Sequence, residues 1–138
     1  MTKVICRENC ENAPRKGVLR DFNAAFAGND VEAILDQLAD DIEWRMVGNR
    51  TFEGRDAVEE ALRAMAGERA AVELRINHIV THGKEAALDG VITYPDGNQI
   101  AFCDVYVFSS HSKSARIKEM ISYAIELNQG EYSEQGSY

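Results

Sequence analysis

AFCDVYVF, residues 101–108, has the alternation of a β-strand but no water-facing side. Successive strand side chains point to opposite faces, so Phe102, Asp104, Tyr106 and Phe108 form one row and Ala101, Cys103, Val105 and Val107 the other. Asp104 is the one charged residue in either row. A strand that is apolar on both sides needs cover on both sides. A carboxylate in the middle of an aromatic row needs a reason.

The flanks extend this strand into a sheet. Upstream, PDGN at 95–98 is a hairpin turn, and KEAALDGVITY runs towards it from a tight turn around Gly83. Earlier still the period is two, and AAVELRINHIVTHG places Val72, Leu74, Ile76, His78 and Val80 on one side. Downstream, the loop SHSKSA leads to RIKEMISYAIEL, where Ile117, Glu119, Ile121 and Tyr123 share a row. The tail NQGEYSEQGSY is polar and reads as loose.

The N-terminal half has a helical period instead. Val18, Leu19, Phe22 and Phe26 make an apolar stripe, with Pro14 in the first turn and Gly28 closing the helix. Asn29 or Asp30 caps a second helix, VEAILDQLAD, whose Val31, Ile34, Leu35 and Leu38 share a face. DIEWRMVG alternates as a short strand, and GRDAVEEALRAMAG is a third helix. Helices followed by long antiparallel strands predict an α+β domain, three N-terminal helices packed on one curved sheet. The helices cover one face of residues 100–108, and no element remains for the other. A homodimer through the outer sheet face is therefore expected.

The chain of 138 residues reads as one domain, residues 1–138. A formal charge of -8 without a basic cluster argues against a nucleic-acid partner. No apolar run approaches the ~18 residues of a membrane span. Three cysteines and no secretory hydrophobic region point to a reducing cytoplasm. CRENC, residues 6–10, has no second Cys/His pair at finger spacing, so it reads as two free thiols and not as a metal site. No cofactor or metal is expected.

In order and spacing, FNAAFAGNDVEAILDQLADDIEWRMVG, FEGRDAVEEAL, AFCDVYVF and RIKEMISYAIEL resemble the nuclear transport factor 2-like superfamily, and more narrowly its SnoaL-like branch, from about residue 14 to 127. The resemblance implies a cone-shaped, cystatin-like fold whose strongly bent, mostly antiparallel sheet encloses a pocket. It implies Asp104 as a pocket acid and catalytic candidate. A lone buried carboxylate costs several kcal/mol in a solid core, whereas at a pocket wall it meets water or ligand. Phe22, Phe26, Trp44, Met46, His78, Phe102, Tyr106, Glu119 and Tyr123 are the expected lining.

Some of these residues have plainer readings. His78 is equally a histidine satisfied by a carbonyl or water, Trp44 a core residue, and Glu119 a solvent-facing partner of Arg116 or Lys118. Either Tyr106 or Tyr123 can hold Asp104, and Glu119 on the same face would split its titration with Asp104. His82 and His111 read as exposed.

Two mechanisms known in relatives lose their residues here. By the resemblance, the base of a ketosteroid isomerase falls on Met46 and its oxyanion tyrosine on Phe22. The arginine of limonene epoxide hydrolase falls on Phe102. Both reactions are disfavoured. An aldol cyclase needs one acid/base group, and Asp104 suffices with His78 or His82 as relay. The expectations are thus a lyase, isomerase or cyclase using Asp104, a non-catalytic protein holding a small apolar or aromatic ligand, or a dimeric scaffold.

Overall fold

The chain folds as β1 (Lys3–Cys6), α1 (Pro14–Ala27), α2 (Val31–Asp36), β2 (Leu38–Met46), β3 (Arg50–Glu53), α3 (Arg55–Met65), β4 (Glu73–His82), β5 (Glu85–Thr93), β6 (Gln99–Phe108) and β7 (Ile117–Leu127). The computed structural model describes residues 2–7, 13–65 and 70–127. The polar tail therefore lies outside the described residues, as does Cys10.

The segment FAGNDV shows how the helices are set. Gly28 ends α1, its N–H donating to the Ala24 carbonyl at 3.0 Å while the Asn29 N–H donates to the Phe26 carbonyl at 3.2 Å. Asn29 takes the left-handed turn at φ 59°, a conformation its short amide tolerates. Asp30 then caps α2, accepting the Ala33 N–H at 3.2 Å. Helix α2 stops at Asp36 and not at Asp40 as expected, because residues from Leu38 onward pair with β7.

The strands form one seven-stranded sheet in the order β1-β4-β5-β6-β7-β2-β3. The β4–β5–β6–β7 meander is antiparallel, whereas β2 joins β7 and β1 joins β4 in parallel. Strands β1 and β3 were not expected from the sequence. Cys6, at the end of β1, is disulfide-bonded, which corrects the expectation of free thiols. It also removes the cysteine half of the argument for a reducing compartment.

The helices cover the concave face. Leu19 and Phe22 of α1, Ile34 of α2 and Val58 of α3 are buried against Ile42, Leu74, Ile76, Ile79, Tyr106 and Phe108 of the sheet. Each such side chain contributes roughly 1.5–3 kcal/mol of hydrophobic stabilisation.

Two irregularities decide which side chains look inward. A β-bulge between Ile76 and His78 reverses the alternation of β4, so Ile79 is buried while His78 and Val80 face outward. Gly90 stands opposite Ile76, and a Cβ there would overlap the Arg75 carbonyl. A second bulge, between Val107 and Phe108, reverses β7 in the same way. Ile117 and Met120 both point inward, and Glu119 points out.

Candidate functional site

On β6, Asp104 lies on the concave face, one strand step from Tyr106. Leu88 of β5 and Ser122 of β7 stand directly opposite it, and Met46 of β2 continues the row beyond Ser122. An aromatic cluster surrounds the neighbouring row. Tyr106 meets Phe22 edge-on at 6.1 Å, Phe22 meets Phe26 at 5.2 Å, and Phe26 meets Trp44 at 5.6 Å. Asp104 itself is half-buried.

The hydrogen bonds around this carboxyl have fixed directions. Asn23 is the buried polar residue of the described core, and its Nδ2 lies 2.9 Å from the Leu19 carbonyl and 2.9 Å from Tyr106 Oη. A carbonyl oxygen only accepts, so that contact fixes the amide orientation. Nδ2 must then donate its second hydrogen to the tyrosine. The Tyr106 O–H is left to donate to Asp104 Oδ2, at 3.1 Å. On the other side the Trp44 indole, which only donates, gives Nε1–H to Ser122 Oγ at 3.0 Å. Ser122 stands directly opposite Asp104, and its hydroxyl helps hold the Asp104 pKa down.

Burial dominates the electrostatics. It raises the Asp104 pKa from 3.8 to about 6, and the Ser122 and Tyr106 hydroxyls hold it down against a larger rise. Burial, and then the charge of Asp104, push the Tyr106 phenol well above its ordinary value. Near neutrality this acid populates both forms, one able to donate a proton and one able to take it. A cavity of about 400 Å³ between α3 and the β2–β3 hairpin is lined by Met46, Phe52, Ala57, Ala61, Ala64 and Met65, with Arg50 and Glu60 beside them. Met46 links it to the Asp104 row.

The sheet brings Phe22, Phe26, Trp44, Met46, Phe102 and Tyr106 to the same side as Asp104. Phe22, Trp44 and Tyr106 are almost wholly buried, and Phe26, Met46 and Phe102 are half-buried. His78, Glu119 and Tyr123 are elsewhere. The two bulges turn all three to the outer face, where His78 pairs with Asp89 at 2.8 Å, Glu119 stands beside Val107, and Tyr123 beside Cys103. The expected Asp104–Glu119 coupling, the His78 relay and the Tyr123 partner are thereby corrected. The Cys103 thiol, also on that face, is pushed up by burial and by the charges of Asp89 and Asp104, which does not make a nucleophile.

Sequence reasoning missed Asn23 and Ser122. Asn23 had a signal, because it lies on the apolar stripe of α1, four residues after Leu19. Ser122 had only a faint one, since its place opposite Asp104 depends on the β7 bulge, which the three-residue spacing of Ile117 and Met120 marks.

Helices packed on the concave side of a long bent sheet define the cone-shaped α+β class. A family model described as a SnoaL-like domain matches residues 19–120, and the chain belongs to that family. Among solved structures it is similar to an NTF2-like protein of unknown function from Cytophaga hutchinsonii, with 24% identity over 79% of this chain and 97% of that one, TM-score 0.63. A second, from Burkholderia xenovorans, has 18% identity over 88% and 91%, TM-score 0.68. A third is SalBIII, an epoxide hydrolase/cyclase-like enzyme with a role in pyran ring formation in the polyether salinomycin, at 19% identity over 80% and 90%, TM-score 0.64. These likenesses show the fold alone. No curated protein matches the sequence. Among the described residues no helix is long and apolar enough to cross a membrane.

Proposed function

We propose that this SnoaL-like domain is an acid/base enzyme of the lyase, isomerase or cyclase type, acting on a small apolar carbonyl compound through Asp104. One observation carries the reading: a half-buried carboxyl, poised at about 6, stands on an apolar concave face, receives the Tyr106 hydroxyl hydrogen bond and has the Ser122 hydroxyl opposite it. Ionised, it takes a proton from the carbon beside the carbonyl, leaving the electron pair in an enolate. The proton then returns to a different carbon, which isomerises the substrate, or the enolate carbon attacks a second carbonyl, which closes a ring. In the ring closure Asp104 gives its proton to the alkoxide oxygen so formed.

Deuterium uptake beside the carbonyl, followed by NMR over a panel of apolar cyclic ketones, tests the common first step. The protein should accelerate uptake and Asp104→Asn should not. Undiminished exchange by Asp104→Asn would refute the proposal. A non-catalytic binding role is the second reading, favoured by the apolar Phe22 and Met46 where isomerase groups would stand. A ligand that binds and is recovered unexchanged would support it.

The outer sheet face is the proposed dimer interface. Val80, Tyr123 and Ile125 are 58%, 48% and 69% exposed there, in rows with Ala87, Val105 and Ile121. A second copy of the chain offers the same surface in return. Sedimentation of a dimer supports this, and a monomer at high micromolar concentration counts against it.

A further inference from the structure

We infer that Asn23 and Trp44 are positioning residues that fix the direction of both hydrogen bonds received by Asp104, so that the acid exchanges its own proton with the ligand and not with the protein. The inference rests on the acid/base role proposed for Asp104. Its basis is the polarity of the two chains that converge on the carboxyl. One begins at a group that only accepts, the Leu19 carbonyl, and runs through Asn23 to Tyr106. The other begins at a group that only donates, the Trp44 indole, and runs through Ser122. The first ends with the Tyr106 hydroxyl hydrogen on Asp104, and the second with the Ser122 hydroxyl standing opposite the carboxyl.

A proton on Asp104 turned towards Tyr106 would meet a hydrogen pointing back at it, and at Ser122 the Trp44 N–H already occupies one of the two acceptor positions. The acidic proton therefore turns to the remaining side. Among the described residues, Leu88 faces Asp104 from β5, Ser122 from β7 and Tyr106 from its own strand, with Asn23 and Phe22 of α1 behind the tyrosine. The Cys103 thiol, on the outer face, is the other titratable group coupled to its charge. None of these described groups facing Asp104 is a base. Donors locked onto the carboxylate also favour its ionised form, so releasing the lock should weaken that preference.

The test is the titration of Asp104 itself, followed by its carboxyl ¹³C resonance in the full chain without ligand and assigned by its loss in Asp104→Asn. In Asn23→Leu and in Trp44→Phe the midpoint should rise by roughly half a pH unit, and in Tyr106→Phe and Ser122→Ala by about one. Because Asn23 acts through Tyr106, adding Asn23→Leu to Tyr106→Phe should move the midpoint no further. A wild-type midpoint in Asn23→Leu, or an undiminished shift in the Tyr106→Phe background, overturns the inference. If Asn23→Leu does not fold, Trp44→Phe alone and in the Ser122→Ala background makes the same test, with the same two outcomes counting against it. Failure here is separate from failure of the acid/base reading, which the deuterium-exchange assay decides.

Discussion

Asp89 and Asp104 lie on neighbouring strands and face opposite ways. Asp89 points outward, its side chain 41% exposed, and meets His78 across the strand pair. Asp104 points inward, where two hydroxyls replace the imidazole. Water solvates the outer carboxylate, whereas the inner one pays a desolvation cost that its partners only partly offset. One sheet thus carries a solvated hydrogen-bonded pair and a poised acid on its two sides. The fold makes the difference.

The sharpest way to break this contrast is to make the same substitution on each face. Asp104→Asn should lower exchange or turnover by at least about 100-fold, the usual contribution of a positioned acid or base. Asp89→Asn should stay within about twofold. Equal losses in a steady-state assay would show that the inner carboxyl is not special.

Stability against pH gives the next largest effect. Burial sets the folded-state pKa of Asp104 at about 6, above its ordinary 3.8, so folding favours the protonated form. Its contribution is complete below about pH 4 and is lost as pH rises through about 6. The stability of wild type minus that of Asp104→Asn should therefore fall by about 3 kcal/mol between pH 3 and pH 7. Urea titrations across that range would measure it. A flat difference would mean the carboxyl is solvated.

The outer face should answer to charge instead. Ile125→Lys or Val80→Lys places a cation in the apolar rows proposed to meet a second copy. The dimer should weaken at least about tenfold in sedimentation, because a buried unpaired charge costs several kcal/mol, while the Asp104 titration stays unchanged. Unaltered association would remove this face from the interface.

Much of this was legible from the chain, and the misplaced residues trace to one physical cause. The two rows of residues 101–108 were read with the right faces because no bulge interrupts them before Val107. The lining reading of His78, Glu119 and Tyr123 fails because each follows an extra residue in its strand, and one such insertion flips every later side chain. The alternative of a solvent-facing Glu119 agrees with its place on the outer face. Faint signals existed. Gly90 inside a strand pattern marks a close backbone approach, and Ile117 and Met120, three apart, break a two-residue alternation. Asn23 was visible as a polar residue on an apolar stripe, but its partner is 83 positions away. Local sequence shows that a buried amide needs a partner, and only the tertiary packing names it.

The smallest expected effect sharpens the comparison most finely. His78 and Asp89 form a pair whose side chains are 62% and 41% exposed in the single chain. An exposed pair contributes about 0.2–1 kcal/mol, so His78→Ala should cost less than about 1 kcal/mol in denaturant titrations. The proposed dimer changes that arithmetic, because the pair lies on the same face as Tyr123 and would lose water when two sheets meet. Removing one partner of a desolvated pair strands the other and costs several kcal/mol. The measurement therefore belongs at two protein concentrations, one below and one above dimer formation. A small cost at both places the pair at the rim or outside the interface. A cost that appears only in the dimer places it inside, and the two carboxylates then differ less by exposure than by what covers them.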